Sequence, residues 1–220
     1  MNIFFLFLLT LIPAGNAEET PVTSNITEVS IKLRSIALSS SVLVSTDDGY
    51  GSGNYFQIDD RYIVVTAAHV IRGQDSAVIQ APNSRVLGSV IYKDYAKDYA
   101  ILLVPKIGTR IAAQLKIKKS FDYSVGETIF YAGYPNRSDL MFFTGRIARI
   151  TPDIINIHSY AWMGASGSIV FDLKGRIVGI ITAVEVGNFL GEPRLIEDIV
   201  WMIPGNVIDI ARIRDAISKI

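Results

Sequence analysis

Ser166 stands between two glycines in Trp162-Met163-Gly164-Ala165-Ser166-Gly167-Ser168, directly ahead of the apolar run Ile169-Val170-Phe171. A glycine-flanked turn can expose a serine hydroxyl and aim consecutive backbone N–H groups into one small space. Acyl transfer needs that combination, a nucleophile beside donors for the developing oxyanion. Gly-Ala-Ser-Gly is also an ordinary turn in β proteins, so the other reactive side chains decide between the two readings. His69 ends the stretch Val64-Val65-Thr66-Ala67-Ala68-His69, just after an apolar run, and Asp98 opens the nearly all-apolar Tyr99-Ala100-Ile101-Leu102-Leu103-Val104. An ionised carboxylate at the mouth of a core strand needs a partner, and an imidazole N–H is a good one. The plainer alternative makes Asp98, like Asp94, a turn residue. His158 lies eight residues before Ser166, either as a half-buried strand histidine or as a residue bordering a specificity pocket.

The elements that must position these groups are short and β-prone. Ser41–Ser45 leads into Asp47-Asp48-Gly49, a hairpin signal. Asn54–Ile58 turns at Asp59-Asp60 into Tyr62–Thr66, and further runs follow at 76–80, 86–92, 99–104, 128–134, 141–150, 154–160, 169–171, 176–183 and 199–203. Regular short strands with turn punctuation predict an all-β sandwich or barrels, not βαβ units. The one helix expected is C-terminal: Pro204-Gly205-Asn206 starts it, and Val207, Ile210, Ala211, Ile213 and Ile217 recur at near-helical spacing.

Composition narrows the function classes. A chain of 220 residues suits one large all-β domain or two small barrels sharing a cleft. It is 50% hydrophobic and 19% charged, enough for a large core. Lys+Arg and Asp+Glu balance at 21 each, which gives no electrostatic case for a nucleic-acid partner. With no cysteine there is no disulfide, thiolate metal site or cysteine nucleophile, and two histidines argue against a histidine-rich metal site. No metal and no other cofactor is expected.

Residues 1–12 form a short apolar run closed by Pro13, with small residues at Gly15-Asn16-Ala17. The run is short for a span of about 20 residues and reads as a secretory signal peptide, 1–17, cleaved after Ala17. Its n-region lacks Lys and Arg, and an uncleaved anchor is the alternative. Residues 18–35 are polar and mixed and read as an N-terminal arm. The mature protein is expected to be secreted or periplasmic, with no stable membrane span.

Taken in chain order, His69, Asp98 and Ser166 follow the His…Asp…Ser order of chymotrypsin-type enzymes. Thr66-Ala67-Ala68-His69, Asp98-Tyr99-Ala100-Ile101-Leu102 and Gly164-Ala165-Ser166-Gly167 resemble the three catalytic signatures of trypsin-like serine proteases. Gly51-Ser52-Gly53, Gly126-Glu127, Ala132-Gly133-Tyr134-Pro135, Thr144-Gly145 and Trp201-Met202-Ile203-Pro204 are similar to patches of the bacterial HtrA/Deg group, so that the resemblance covers residues 50–212. It implies two six-stranded antiparallel β-barrels with a C-terminal helix, the first barrel over 36–115 and the second over 116–220, and a triad in the cleft between them. It further implies Ser166 as nucleophile, His69 as base and Asp98 as its orienting acid, with the backbone N–H groups of Gly164 and Ser166 as the oxyanion hole. By the same resemblance Tyr160 lies at the base of the primary pocket, and Thr182-Ala183-Val184 forms the edge strand that pairs with the backbone of a polypeptide substrate.

Three departures from the pattern matter. Ala165 stands where trypsin has the aspartate of zymogen activation and the HtrA group has asparagine, so no proteolytic switch beyond signal removal is expected. Ser168 replaces a glycine, and no PDZ domain is expected. Residues 18–49 contain no Phe, Tyr or Trp to anchor the trimer typical of the group, which favours a monomer. An α/β-hydrolase is disfavoured, because the second elbow glycine is missing and the triad order is wrong. The alternative that remains is a binding module on the protease fold with an occluded or inactive triad.

Overall fold

The computed structural model describes residues 29–137 and 139–220. The expected signal peptide and most of the expected arm lie outside the described residues. Twelve strands form two closed antiparallel barrels. The first contains β1 (Ser41–Ser45), β2 (Tyr50–Ile58), β3 (Arg61–Thr66), β4 (Ser76–Ala81), β5 (Ser84–Asp94) and β6 (Tyr99–Val104), in the order β1-β2-β3-β6-β5-β4. The second contains β7 (Thr128–Gly133), β8 (Met141–Ile150), β9 (Ile155–His158), β10 (Ile169–Asp172), β11 (Ile177–Phe189) and β12 (Glu192–Pro204), in the order β10-β11-β12-β9-β8-β7. The expected all-β, two-barrel fold is what the chain adopts. No helix among the described residues is long and apolar enough to cross a membrane.

Closure removes free sheet edges, and alternation along the strands fills each interior. Val42, Val44, Val64, Ala77, Ile79, Ala100 and Leu102 are buried together in the first barrel, and Ile129, Tyr131, Ile147, Ile157, Val170, Val178 and Val200 in the second. A third cluster runs between the barrels, joining Phe56, Ile63 and Ile101 of the first to Phe130, Ile169, Phe171 and Ile180 of the second. The cleft therefore has a packed floor.

One helix was not expected. α1 (Ile31–Ser40) occupies the end of the assigned arm and runs directly into β1. Its sequence carries no continuous apolar stripe. It forms because Ser30 caps it, accepting from the Leu33 N–H at 3.3 Å, and because Ala37 is fully buried against the inter-barrel cluster. Val29, ahead of the cap, is buried there too, so residues 29–35 belong to the packed body rather than to a free arm. Two shorter differences are α2 (Ala68–Ile71), a single turn after β3, and the start of the C-terminal helix α3 (Ile210–Ser218). Asp209 caps α3 by accepting from the Ala211 and Arg212 N–H groups, so the helix begins after the Pro204-Gly205-Asn206 turn and not at it.

β2 pins the second barrel to the first. The Ser52 hydroxyl donates to the Gly164 carbonyl at 2.7 Å and accepts from the Tyr134 N–H at 2.8 Å, and the Ser52 N–H donates to the Ser166 carbonyl at 2.7 Å. The Asn54 side chain accepts from the Ile169 N–H at 3.0 Å. Four bonds from two buried polar residues thus join the barrels, two of them holding the turn around Ser166 against the barrel that carries His69.

Ser168 is different. Its side-chain oxygen is buried and, among the described residues, has no hydrogen-bond partner, and it lies so near Gly133 that a Cβ there would meet it at 2.3 Å. Leaving a buried hydroxyl unpaired costs about 1–3 kcal/mol. Ser168→Ala is therefore expected to raise the unfolding free energy by about 1 kcal/mol, read as a higher urea midpoint at unchanged m-value. A lower midpoint would mean that the hydroxyl is satisfied.

Candidate active site

His69 lies in α2, whose single turn follows the last residues of β3 and ends at Arg72 in the left-handed region, φ 45°. Asp98 lies just ahead of β6, itself left-handed at φ 45°, a conformation aspartate tolerates better than most side chains. β3 and β6 pair directly, Thr66 opposite Ala100, so adjacent strand ends bring the two residues together. The His69 ring nitrogen Nδ1 is 2.9 Å from Asp98 Oδ2 and 3.0 Å from Oδ1, and the His69 backbone N–H donates to Oδ1 at 3.0 Å. Asp94, the other aspartate of this stretch, instead accepts from the Lys97 N–H at 3.0 Å and bonds no imidazole.

Burial pushes the Asp98 carboxyl up, but hydrogen bonds from the His69 ring, the Thr182 hydroxyl and the His69 backbone outweigh it, and the net pKa is below the usual carboxylate value. An ionised carboxylate can only accept. Nδ1 therefore carries a proton, and in the neutral ring Nε2 is the accepting nitrogen.

The Thr182 hydroxyl crosses from the second barrel to donate to Asp98 Oδ2. A bulge makes this contact: Ile181 pairs with Met202 and Ala183 with Trp201, so Thr182 is the extra residue of β11. Bulges near functional sites re-aim side chains in this way. The Thr182 carbonyl accepts the Ser166 hydroxyl at 3.2 Å. Ser166 and Asp98 are thus linked through one threonine. Among the described residues, Ser166 Oγ makes no hydrogen bond to His69.

The turn around Ser166 requires its glycines. Gly164 has φ 98°, and a Cβ there would meet the Tyr134 carbonyl at 2.6 Å and the Tyr50 ring at 2.7 Å. Gly167 has φ 89°, and a Cβ would meet the Ser52 carbonyl at 2.1 Å and the Thr66 hydroxyl at 2.3 Å. The neighbouring carbonyls are engaged elsewhere: Met163 accepts from the Asn136 N–H at 2.5 Å, Gly164 from Ser52 Oγ, and Ser166 from the Ser52 N–H. Among the described residues, the N–H groups of Gly164 and Ser166 donate to no protein acceptor.

The other expected site residues scatter. Thr182, Ala183 and Val184 follow one another on β11, Ala183 exposed and Val184 half-buried. Tyr160 is half-exposed, its ring tilted against that of Phe143 at 5.8 Å between centroids. It lines a cavity of about 560 Å³ with His158, Asp198, Arg146 and Thr144, and neither Ser166 nor His69 borders that space. His158 is on β9 with its side chain exposed, not half-buried, and Nε2 lies 3.4 Å from Asp198 Oδ2. Sequence reading missed the side-chain roles of Ser52, Asn54 and Thr182. Each acts on a residue more than eighty positions away, and no local pattern marks such a contact.

Comparison with known proteins bears on the family and the fold. Residues 51–180 match the family model described as a trypsin-like peptidase domain. The chain is 28% identical over 180 residues to "Protease Do-like 1, chloroplastic" of Arabidopsis thaliana, covering 76% of this chain and 40% of that protein. It is 22% identical over 140 residues to "Serine protease Rv3671c" of Mycobacterium tuberculosis, covering 57% of this chain and 34% of the other. The chain thus spans well under half the length of these relatives. Among solved structures, the inactive form of Rv3671c protease superposes with a TM-score of 0.64 at 20% identity, over 86% of this chain and 92% of that one. "HtrA-type protease AlgW with tripeptide" gives 0.65 at 19% identity, over 80% and 59%.

Proposed function

Given that this chain belongs to the trypsin-like peptidase domain family, we propose that it is a serine endopeptidase of HtrA/Deg type that cleaves polypeptides through an acyl-enzyme on Ser166. The observation that carries this reading is the link His69–Asp98–Thr182–Ser166, in which the imidazole is held in one tautomer and the serine lies one residue contact away. In the proposed reaction Ser166 Oγ leaves the Thr182 carbonyl and turns to His69 Nε2, which takes its proton as the oxygen attacks the substrate carbonyl carbon. Asp98, already ionised, stabilises the imidazolium. The N–H groups of Gly164 and Ser166 hold the oxyanion. His69 then returns the proton to the leaving amine as the peptide C–N bond breaks, and water, activated by His69, hydrolyses the ester.

Polypeptides are the proposed substrates, bound along Thr182-Ala183-Val184, with a small or medium apolar side chain preferred next to the cut bond. Thr182, Ala183 and Val184 carry no charge to hold Arg, Lys or Glu. Export directed by residues 1–17 fits a relative named "Probable periplasmic serine endoprotease DegP-like", and the proposed mature protein acts as a monomer. One observation favours a second reading, an occluded triad: the Ser166 hydroxyl rests on the Thr182 carbonyl instead of the imidazole.

A fluorophosphonate separates the two readings, because only an activated serine reacts. Labelling confined to Ser166 by peptide mass mapping, with cleavage of a peptide library after small apolar residues, is the expected result. An unlabelled Ser166 would support the occluded module. Strong preference for cleavage after a basic residue would overturn the pocket assignment.

A further inference from the structure

β11 and β12 continue past the barrel as a two-stranded ribbon. The pairs run from Glu185 opposite Ile196 to Phe189 opposite Glu192, and the loop is two residues, Leu190 and Gly191, both at positive φ. Such a loop matches the right-handed twist of a hairpin. The two edges of the ribbon differ. Along the inner edge of β11, β10 pairs as far as Ile169 opposite Ile180. The serine turn then continues the row: the Ile181 N–H donates to the Ser168 carbonyl at 2.9 Å, the Gly167 N–H to the Ile181 carbonyl at 2.7 Å, and Ser166 Oγ to the Thr182 carbonyl at 3.2 Å. Beyond Thr182, among the described residues, no strand pairs with this edge.

The open edge is also uninterrupted. Val184 and Glu185 are consecutive on β11 but pair with Val200 and Ile196, so the irregularity falls on β12. The bulged Glu197 and Asp198 turn to the segment before the serine turn, accepting from the Ala161 and Ser159 N–H groups at 3.0 and 3.1 Å. Side chains on the two ribbon faces are equally distinct. On one face the Trp201 indole N–H donates to Glu185 at 2.6 Å, and Ile196 covers Gly187. On the other, Val186 and its cross-strand partner Leu195 are 56% and 42% exposed, an apolar pair that no described residue covers at the open edge.

We propose that the open edge of β11, as far as Asn188, is an extended substrate strand that binds an unfolded polypeptide by β-strand addition, Val186 and Leu195 selecting an apolar residue about five positions before the cut bond. The assignment rests on the protease reading, and geometry fixes its direction. β11 runs away from Ser166, so an antiparallel segment runs toward it and delivers its C-terminal carbonyl to the serine. Antiparallel strands pair one to one, so the residue at the bond lies opposite Thr182, the third before it opposite Val184, and roughly the fifth opposite Val186. A side chain there joins the Val186–Leu195 row as a cross-strand neighbour. The outer edge of β12 is already occupied, by β9 from Met202 to Ile199 and by the Ala161 and Ser159 N–H groups at Glu197 and Asp198.

The test uses peptides that share the residues nearest the cut bond and extend N-terminally from three to seven residues. Binding to Ser166→Ala, read by fluorescence anisotropy, is expected to tighten about tenfold or more between the shortest and longest peptides. N-methylation of the distal backbone amides is expected to abolish that gain, as is Val186→Asp introduced into the Ser166→Ala protein. The N-methyl peptides make the same test without changing the protein. Equal binding of all lengths, or indifference to N-methylation, would overturn the proposal. So would self-association that competes with the peptide and disappears in Val186→Asp, because the edge would then serve a second copy of the chain. Failure of the protease reading is distinguishable. An unlabelled Ser166 with length-dependent binding removes the chemistry and keeps the edge; a labelled Ser166 with no length dependence does the reverse.

Discussion

Ser166→Ala is expected to reduce peptide hydrolysis by a factor on the order of 10⁴–10⁶ while leaving the protein folded. The oxygen removed is the proposed nucleophile, and no neighbouring group replaces it. The neighbouring hydroxyls are buried or engaged: Ser52 with Gly164 and Tyr134, Thr182 with Asp98, and Ser168 in the interior. The fold depends little on Ser166 Oγ, which makes one 3.2 Å bond to the Thr182 carbonyl. The bonds that hold the turn run through its backbone, from the Ser52 N–H to the Ser166 carbonyl and from the Gly167 N–H to the Ile181 carbonyl, and alanine keeps both. Turnover measured beside a urea unfolding curve separates loss of chemistry from loss of structure. Near-normal turnover in Ser166→Ala would remove this residue from the reaction.

Asp98→Asn is expected to lower kcat by about 10⁴-fold with little change in KM. The carboxylate now accepts from the ring Nδ1–H, the His69 backbone and Thr182. An amide of the same shape can turn its NH₂ toward Nδ1, which stabilises the tautomer with the proton on Nε2, and that tautomer cannot take the serine proton. Asp94→Asn, which alters only a cap on the Lys97 N–H and a contact with Tyr92, is expected to retain activity. The reverse outcome, a crippled Asp94→Asn beside an active Asp98→Asn, would overturn the assignment. The same carboxylate sets a sign for pH. Its folded pKa is below the unfolded value of about 3.9, so its contribution to stability is fully present above that value and is lost as pH falls through the lower folded pKa. Asp98→Asn should therefore weaken the acid-side dependence of unfolding free energy at low pH.

The sequence by itself determined the strands, their approximate positions and the order of the reactive residues. Continuous apolar runs such as Tyr62–Thr66 and Tyr99–Val104 have one stable use, with alternate side chains in a barrel interior and the others buried between the barrels. The glycines around Ser166 announce a turn that only glycine can make, because Gly164 and Gly167 occupy left-handed conformations with no room for a Cβ. These are local properties, and local chemistry writes them into the chain. The structure decided what depends on distant partners. α1 has weak apolar periodicity and forms because Ala37 finds a buried place between the barrels. The sequence pattern ends one strand at Ala183 and starts the next at Ile199, and Gly187, Asn188 and Pro193 between them are strand-weakening residues. Backbone pairing across a tight two-residue loop carries both strands further. The hydroxyl of Thr182 reaches Asp98 because a bulge and the meeting of two barrels put it there. A contact across 84 positions depends on the closure of both barrels, and no window of sequence contains that information.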